Sequence, residues 1–241
     1  MNKKLEILLK SIGNPLINNG NPIALVESKD ILDLAFKNNV EIEYLEKLKS
    51  NNLLNELESE YSEFHERLAD TAKCIKRITL ALEKNDIPYA LTKTIRPYPG
   101  IPNDSDILYL GKLKDYTNAV DLLVDDGFER CGGSDMQAQL FDPEGGKTFK
   151  RDKRGGRFYI DFYRQLAADH VPYMDSKLIK DFTIRKQHTD FSVNIFHPYA
   201  ETCILLLHSV IMHRTLPLEV FLTISYYLKS FNESDYDELI K

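Results

Sequence analysis

Asp104 and Asp106 stand two residues apart at the start of a short apolar run, Ile107-Leu108-Tyr109-Leu110. Side chains along a strand alternate faces, so both carboxylates point to one side and Ile107 and Tyr109 to the other. Two carboxylates aimed at one spot repel, and each becomes easier to protonate. A divalent cation removes the conflict. Magnesium takes oxygen ligands and is commonly held by one or two carboxylates together with substrate phosphates. On this reading Asp106→Asn leaves the ligand-free protein unchanged or slightly more stable, because it removes a repelling charge. The plainer reading makes Asp104 a strand-entry residue and Asp106 a solvated edge.

The residues before the pair are Leu91-Thr92-Lys93-Thr94 and Arg96-Pro97-Tyr98-Pro99. With Asp104-Ser105-Asp106, this resembles the nucleotidyltransferase superfamily, the DNA polymerase beta-like fold. The resemblance is closest to small archaeal-type nucleotidyltransferase-like proteins. It extends through His197-Pro198-Tyr199-Ala200-Glu201 and the helix bearing His208, over roughly residues 65–228. It implies a third carboxylate on a later strand. Phe158-Tyr159-Ile160-Asp161-Phe162-Tyr163-Arg164 supplies Asp161 in a strongly β-prone run. Three such carboxylates can hold two Mg2+ ions about 3.5–4 Å apart, clamping the attacking and leaving oxygens. The plainer reading of Asp161 pairs it with Arg157 or Arg164.

The resemblance therefore implies a metal-dependent, ATP- or other NTP-binding transferase. It would move a nucleoside monophosphate from an NTP to a hydroxyl acceptor, with release of pyrophosphate. The acceptor could be RNA, a protein or a small molecule. The chain departs from the superfamily in one place: Lys93-Thr94 stands where a Gly-Ser or Gly-Gly pair cradles the triphosphate. Lys93, Thr94 and Arg96 become the candidate phosphate contacts, as basic side chains and hydroxyls. Competing readings are a catalytically inactive nucleotide- or partner-binding protein of the same fold, and an RNA-binding module. The last would use the basic segment Lys147, Lys150, Arg151, Lys153, Arg154 and Arg157. His208 and His213 read as packing or capping residues.

The elements that must position these residues read as α+β. The expected architecture is a nucleotidyltransferase-like mixed sheet covered by helices, with helical additions at both ends. The division is a helical region over 1–60, a core over 61–168 and a mostly helical region over 169–241. Leu5, Leu8, Leu9 and Ile12 give a first helical stripe, and Ser28 can cap a second helix. Leu68, Ala72, Ile75, Thr79 and Leu82 mark the inner face of a long helix over 53–84, with Asn85 as its left-handed terminator. Helices are also expected over 116–126, after Pro198 and over 218–231, followed by a frayed acidic tail, with a strand near Phe191–Val193. The net charge of −6 argues against a surface built throughout for nucleic acid. The three cysteines are too few and too scattered for a disulfide framework or a zinc site. No apolar run reaches the roughly 18 residues of a membrane span, and no signal peptide is read, so a cytoplasmic location is expected.

Overall fold

The computed structural model describes residues 3–16, 25–102, 104–144, 158–168 and 171–240. The helices are α1 (Lys3–Ile12), α2 (Lys29–Lys37), α3 (Glu41–Ser50), α4 (Glu58–Lys84), α5 (Tyr116–Asp125), α6 (Ser176–Ile179), α7 (Pro198–His208), α8 (Leu218–Ser230) and α9 (Glu233–Ile240). The strands are β1 (Tyr89–Thr92), β2 (Asp104–Tyr109), β3 (Glu129–Ser134), β4 (Gln137–Phe141), β5 (Tyr159–Tyr163), β6 (Leu166–Ala168), β7 (Val171–Met174), β8 (Thr183–His188) and β9 (Phe191–Phe196). Two compact units result. One comprises residues 1–68, 96–101 and 215–241, the other residues 69–95 and 102–214.

The first unit is helical. Leu8 and Ile12 of α1, Ile31, Leu32 and Ala35 of α2, and Tyr44, Leu45 and Leu48 of α3 bury one apolar stripe each. Leu222 of α8 and Tyr98 join the same core. Ser28 does precede α2, but its side chain makes no capping bond. Its N–H instead donates to the Tyr44 hydroxyl, which donates to the carbonyl of Val26. The acidic tail expected to fray is helical as α9.

The second unit is the mixed sheet that the sequence led us to expect. Seven strands run in the order β3-β4-β5-β2-β1-β9-β8. The β2–β5 and β1–β9 pairs are parallel and the others antiparallel. One face packs Ile107, Tyr109, Ala138, Leu140, Ile160 and Phe162 against Ile75, Ile78 and Leu82 of α4 and Ala119, Val120 and Leu123 of α5. On the other, Ala90 and Leu108 meet Ala200 and Ile204 of α7. The left-handed residue after α4 is Asp86, at φ 52°, one later than expected. Asn85 turns its amide back to the carbonyl of Ala81. Residues 171–196, within the region expected to be mostly helical, hold β7, β8 and β9. Strand β8 is an edge strand whose one aliphatic residue, Ile184, is exposed, so its alternation is invisible in hydropathy.

The core also contains a hydroxyl that bridges two strands. Tyr116 donates to the carbonyl of Phe162 at 2.6 Å and accepts from the N–H of Ala138 at 2.7 Å. Burial pushes its phenol up to about 12. Tyr116→Phe leaves both backbone groups without this partner, and we expect a loss of about 1–3 kcal/mol. Urea unfolding should show it as a lower midpoint at unchanged slope. An unchanged midpoint would mean that the strands close the gap themselves.

Candidate functional site

The register of β2 and β5 decides which side chains share the polar half of the sheet. Asp106 lies beside Asp161, and Asp104 beside Tyr159. Neighbours in a parallel pair point the same way, about 4.8 Å apart across the strands. Asp104, Asp106 and Asp161 therefore stand on one face of the sheet. Asp106 and Asp161 are buried and Asp104 is half-buried. Strand β4 adds Gln139 directly opposite Asp161 and Gln137 opposite Tyr163. The amide of Gln139 donates to Asp161 Oδ1 at 2.9 Å.

A cation is already present in this group. Lys93 Nζ lies 2.9 Å from Asp106 Oδ1, with the two side chains only 15% and 10% exposed. The ammonium also sits 5.5 Å from the centre of the Tyr163 ring. Burial works against the charge on Lys93, but Asp106, Tyr173 and Asp104 together outweigh it and hold the ammonium's pKa above the ordinary lysine range. Burial, and then the charge of Asp106, raise the Asp161 carboxyl above the usual carboxylate range; Gln139 and Lys93 partly offset this. Burial, and then the charges of Asp106 and Asp161, drive the Tyr163 phenol far up.

The backbone at Lys93 has φ 57°, in the left-handed region. A β-carbon makes that conformation costly, and glycine adopts it freely. The expected glycine position thus has a glycine-like backbone under a lysine side chain. Glu201, in the first turn of α7, holds it. One carboxylate oxygen accepts the N–H of Lys93 and the other the hydroxyl of Thr92, at 2.9 Å. The sequence signal for Glu201 is an acidic residue in the first turn of a Pro-initiated helix. Gln139 carries no such signal.

The other expected phosphate contacts are placed differently. Thr94 accepts from the N–H of Asp106 at 2.9 Å and donates to the carbonyl of Thr92 at 3.0 Å, so its hydroxyl closes the β1–β2 connection. Arg96 belongs to the helical unit. There its guanidinium donates to the carbonyl of Asn39 at 2.9 Å and to Glu219 at 2.7 Å. The basic segment Lys147 to Arg157 lies outside the described residues.

On the same face, a cavity of about 310 Å³ opens beside the carboxylates. Gln137, Gln139, Tyr163, His208 and Met212 line it. His208 Nδ1 is 3.3 Å from the hydroxyl of Tyr173.

No family model matches the chain, and no curated protein does. Among solved structures, the chain is similar to the lincosamide antibiotic adenylyltransferase LnuA in its lincomycin-bound form. The two share 16% identity with a TM-score of 0.43, over 66% of this chain and 97% of that one. Nothing in the comparisons speaks for an archaeal affinity.

Among the described residues, no three His, Cys, Asp or Glu side chains form a ready-made cage for one metal ion. The donor set that the face offers a divalent ion is the neighbouring pair Asp106 and Asp161, with Asp104 at the strand entrance. Such a pair fits magnesium by its chemistry, because substrate phosphates and water commonly complete that ion's shell. The ammonium on Asp106 marks where positive charge is wanted.

Two predictions follow from these contacts. The first revises the expectation that Asp106→Asn is harmless. Asp106 balances a buried ammonium, and removing one partner of such a pair typically costs about 3–5 kcal/mol. Denaturant unfolding should show the loss in Asp106→Asn and its recovery in Asp106→Asn with Lys93→Met. A neutral single variant would mean that Lys93 finds water instead.

The second concerns pH. Burial pushes the Glu201 carboxyl up from 4.5 to about 7, although Lys93 N–H and the Thr92 hydroxyl pull it back. Between those values the folded chain keeps a proton that the unfolded chain has lost. The contribution of Glu201 to stability therefore falls as pH rises from 4.5 to about 7 and is flat above. Thermal midpoints of Glu201→Gln should lack this decline. Parallel curves for the two proteins would place the titration of Glu201 at an ordinary carboxylate value.

Proposed function

We propose that this protein is a nucleotidyltransferase that moves a nucleoside monophosphate from an NTP to a hydroxyl acceptor and releases pyrophosphate. The observation that carries the reading is the side-by-side register of Asp106 and Asp161, with Lys93 against the first. It joins the resemblance of the Lys93–Asp106 stretch to that superfamily. Asp106 and Asp161, with Asp104, would hold one Mg2+, and a second would arrive with the triphosphate. Bound there, Mg2+ makes the acceptor hydroxyl more acidic and neutralises charge developing on the leaving group. The chain's own part is position and charge, as phosphoryl chemistry asks. The acceptor oxygen bonds to the α-phosphorus, the bond to the bridging oxygen breaks, and pyrophosphate leaves with that electron pair. The hydroxyl proton goes to water.

Across the strands, β1 leads to Lys93, β2 and β5 carry the carboxylates, and β4 borders the cavity. A triphosphate at Lys93 and an acceptor in the cavity would meet over the carboxylates. A cavity of about 310 Å³ suits a small acceptor better than a polymer. Among the described residues no helix is long and apolar enough to cross a membrane. One observation favours a second reading, a nucleotide-binding protein without catalysis: the ammonium on Asp106 already neutralises the site.

Incubation with each labelled NTP, Mg2+ and a whole-cell extract separates the two readings. Transfer of label with release of pyrophosphate, lost in Asp161→Asn, is the expected result. Binding of NTP without release of pyrophosphate would establish the second reading.

Lys93 supplies a finer test. A charge-assisted contact to phosphate contributes about 1.5–3 kcal/mol, or roughly ten- to a hundredfold in affinity. Lys93→Ala should weaken triphosphate binding by that factor and barely affect the free nucleoside. Equal losses for both ligands would make Lys93 part of a pocket wall.

A further inference from the structure

The position that a divalent ion would take at Asp106 is contested by the chain itself. Lys93 Nζ stands 2.9 Å from Asp106 Oδ1, and both side chains are largely closed to solvent. The Tyr163 ring covers the ammonium, its centre 5.5 Å away. Two cations on one carboxylate repel strongly where water is scarce. A divalent ion held by Asp106 and Asp161 would therefore compete with the ammonium for Asp106. A displaced ammonium then needs another anion, because an unpaired charge in such a place is expensive.

We propose that Lys93 is an internal counter-cation that competes with the divalent ion for Asp106, so that ion and polyphosphate are taken up together. The polyphosphate receives the ammonium that the ion expels. The proposal rests on the nucleotidyltransferase reading of the same site. It asks for little motion. Glu201 fixes the backbone of Lys93 through its N–H, so only the side chain above it has to swing. The left-handed turn aims the stem at the carboxylates, and its four carbons give it reach. Linkage then makes the coupling reciprocal: polyphosphate raises affinity for the ion by the same factor as the ion raises affinity for polyphosphate. The ion alone binds weakly.

The test uses Mn2+ alone, without nucleotide, titrated into the full chain and followed by calorimetry and by the paramagnetic resonance signal of the free ion. Lys93→Met removes the charge and keeps most of the stem. It should bind Mn2+ about ten- to a hundredfold more tightly than wild type, the factor that loss of a charge-assisted competitor implies. The gain should vanish in Lys93→Met with Asp106→Asn. Equal or weaker binding by folded Lys93→Met, or no binding by either protein, overturns the proposal. Should Lys93→Met fail to fold, wild type serves. Acetylation of Lys93 by acetic anhydride, read by mass spectrometry, should rise at saturating Mn2+, and unchanged labelling overturns the proposal. A protein that fails this test but releases pyrophosphate remains a transferase in which Lys93 has another task. One that passes without ever releasing pyrophosphate binds ion and polyphosphate but is no transferase.

Discussion

A carboxylate screened from water loses hydration, and a second carboxylate beside it adds repulsion. Asp106 and Asp161 are neighbours on parallel strands, and both are buried. Much of the surrounding structure answers that demand. Lys93 brings an ammonium to Asp106, and Gln139 brings an amide to Asp161. To reach Asp106, the lysine leaves β1 in a left-handed turn that a β-carbon resists. Glu201 holds the turn by accepting its N–H. The burial that makes Glu201 effective there also raises its own pKa to about 7. Each remedy for one buried charge thus depends on the next.

How much of this could be read in the chain differs by kind of information. Period-two alternation put Asp104 and Asp106 on one face and Ile107 and Tyr109 on the other, and the core contains the latter two. Helical stripes gave α1, α4 and α5 to within a few residues. The pairing of Asp106 with Asp161 was a conditional expectation, because parallel register between distant strands is set by long-range packing. Strand β8 was not legible, since a polar edge strand has no buried face to mark it. The Lys93–Asp106 pair was hidden for a different reason. Spacing showed repulsion between acids, and nothing local announced that a lysine would adopt the backbone of a glycine.

The candidate phosphate contacts divide along the same line. Lys93 is aimed at the carboxylates, whereas the hydroxyl of Thr94 ties the strand connection and Arg96 is engaged by Asn39 and Glu219 in the helical unit. All three lie within four residues of one another in the sequence. What distinguishes them is the partner that each finds, which depends on folding of the whole chain. Gln139 illustrates the converse. An unremarkable residue in a short strand becomes the link between Asp161 and the adjoining cavity, because β4 pairs with β5 in one register.

The central claim is that Asp106 and Asp161 form a divalent-ion position from which Lys93 withdraws when polyphosphate is present. Crystals grown with Mn2+ and a non-hydrolysable NTP, measured at the manganese absorption edge, test it most directly. The account predicts an anomalous peak between the two carboxylates, with the Lys93 ammonium on a phosphate oxygen. Nucleotide bound with Lys93 still on Asp106, and no anomalous density between the aspartates, would contradict it.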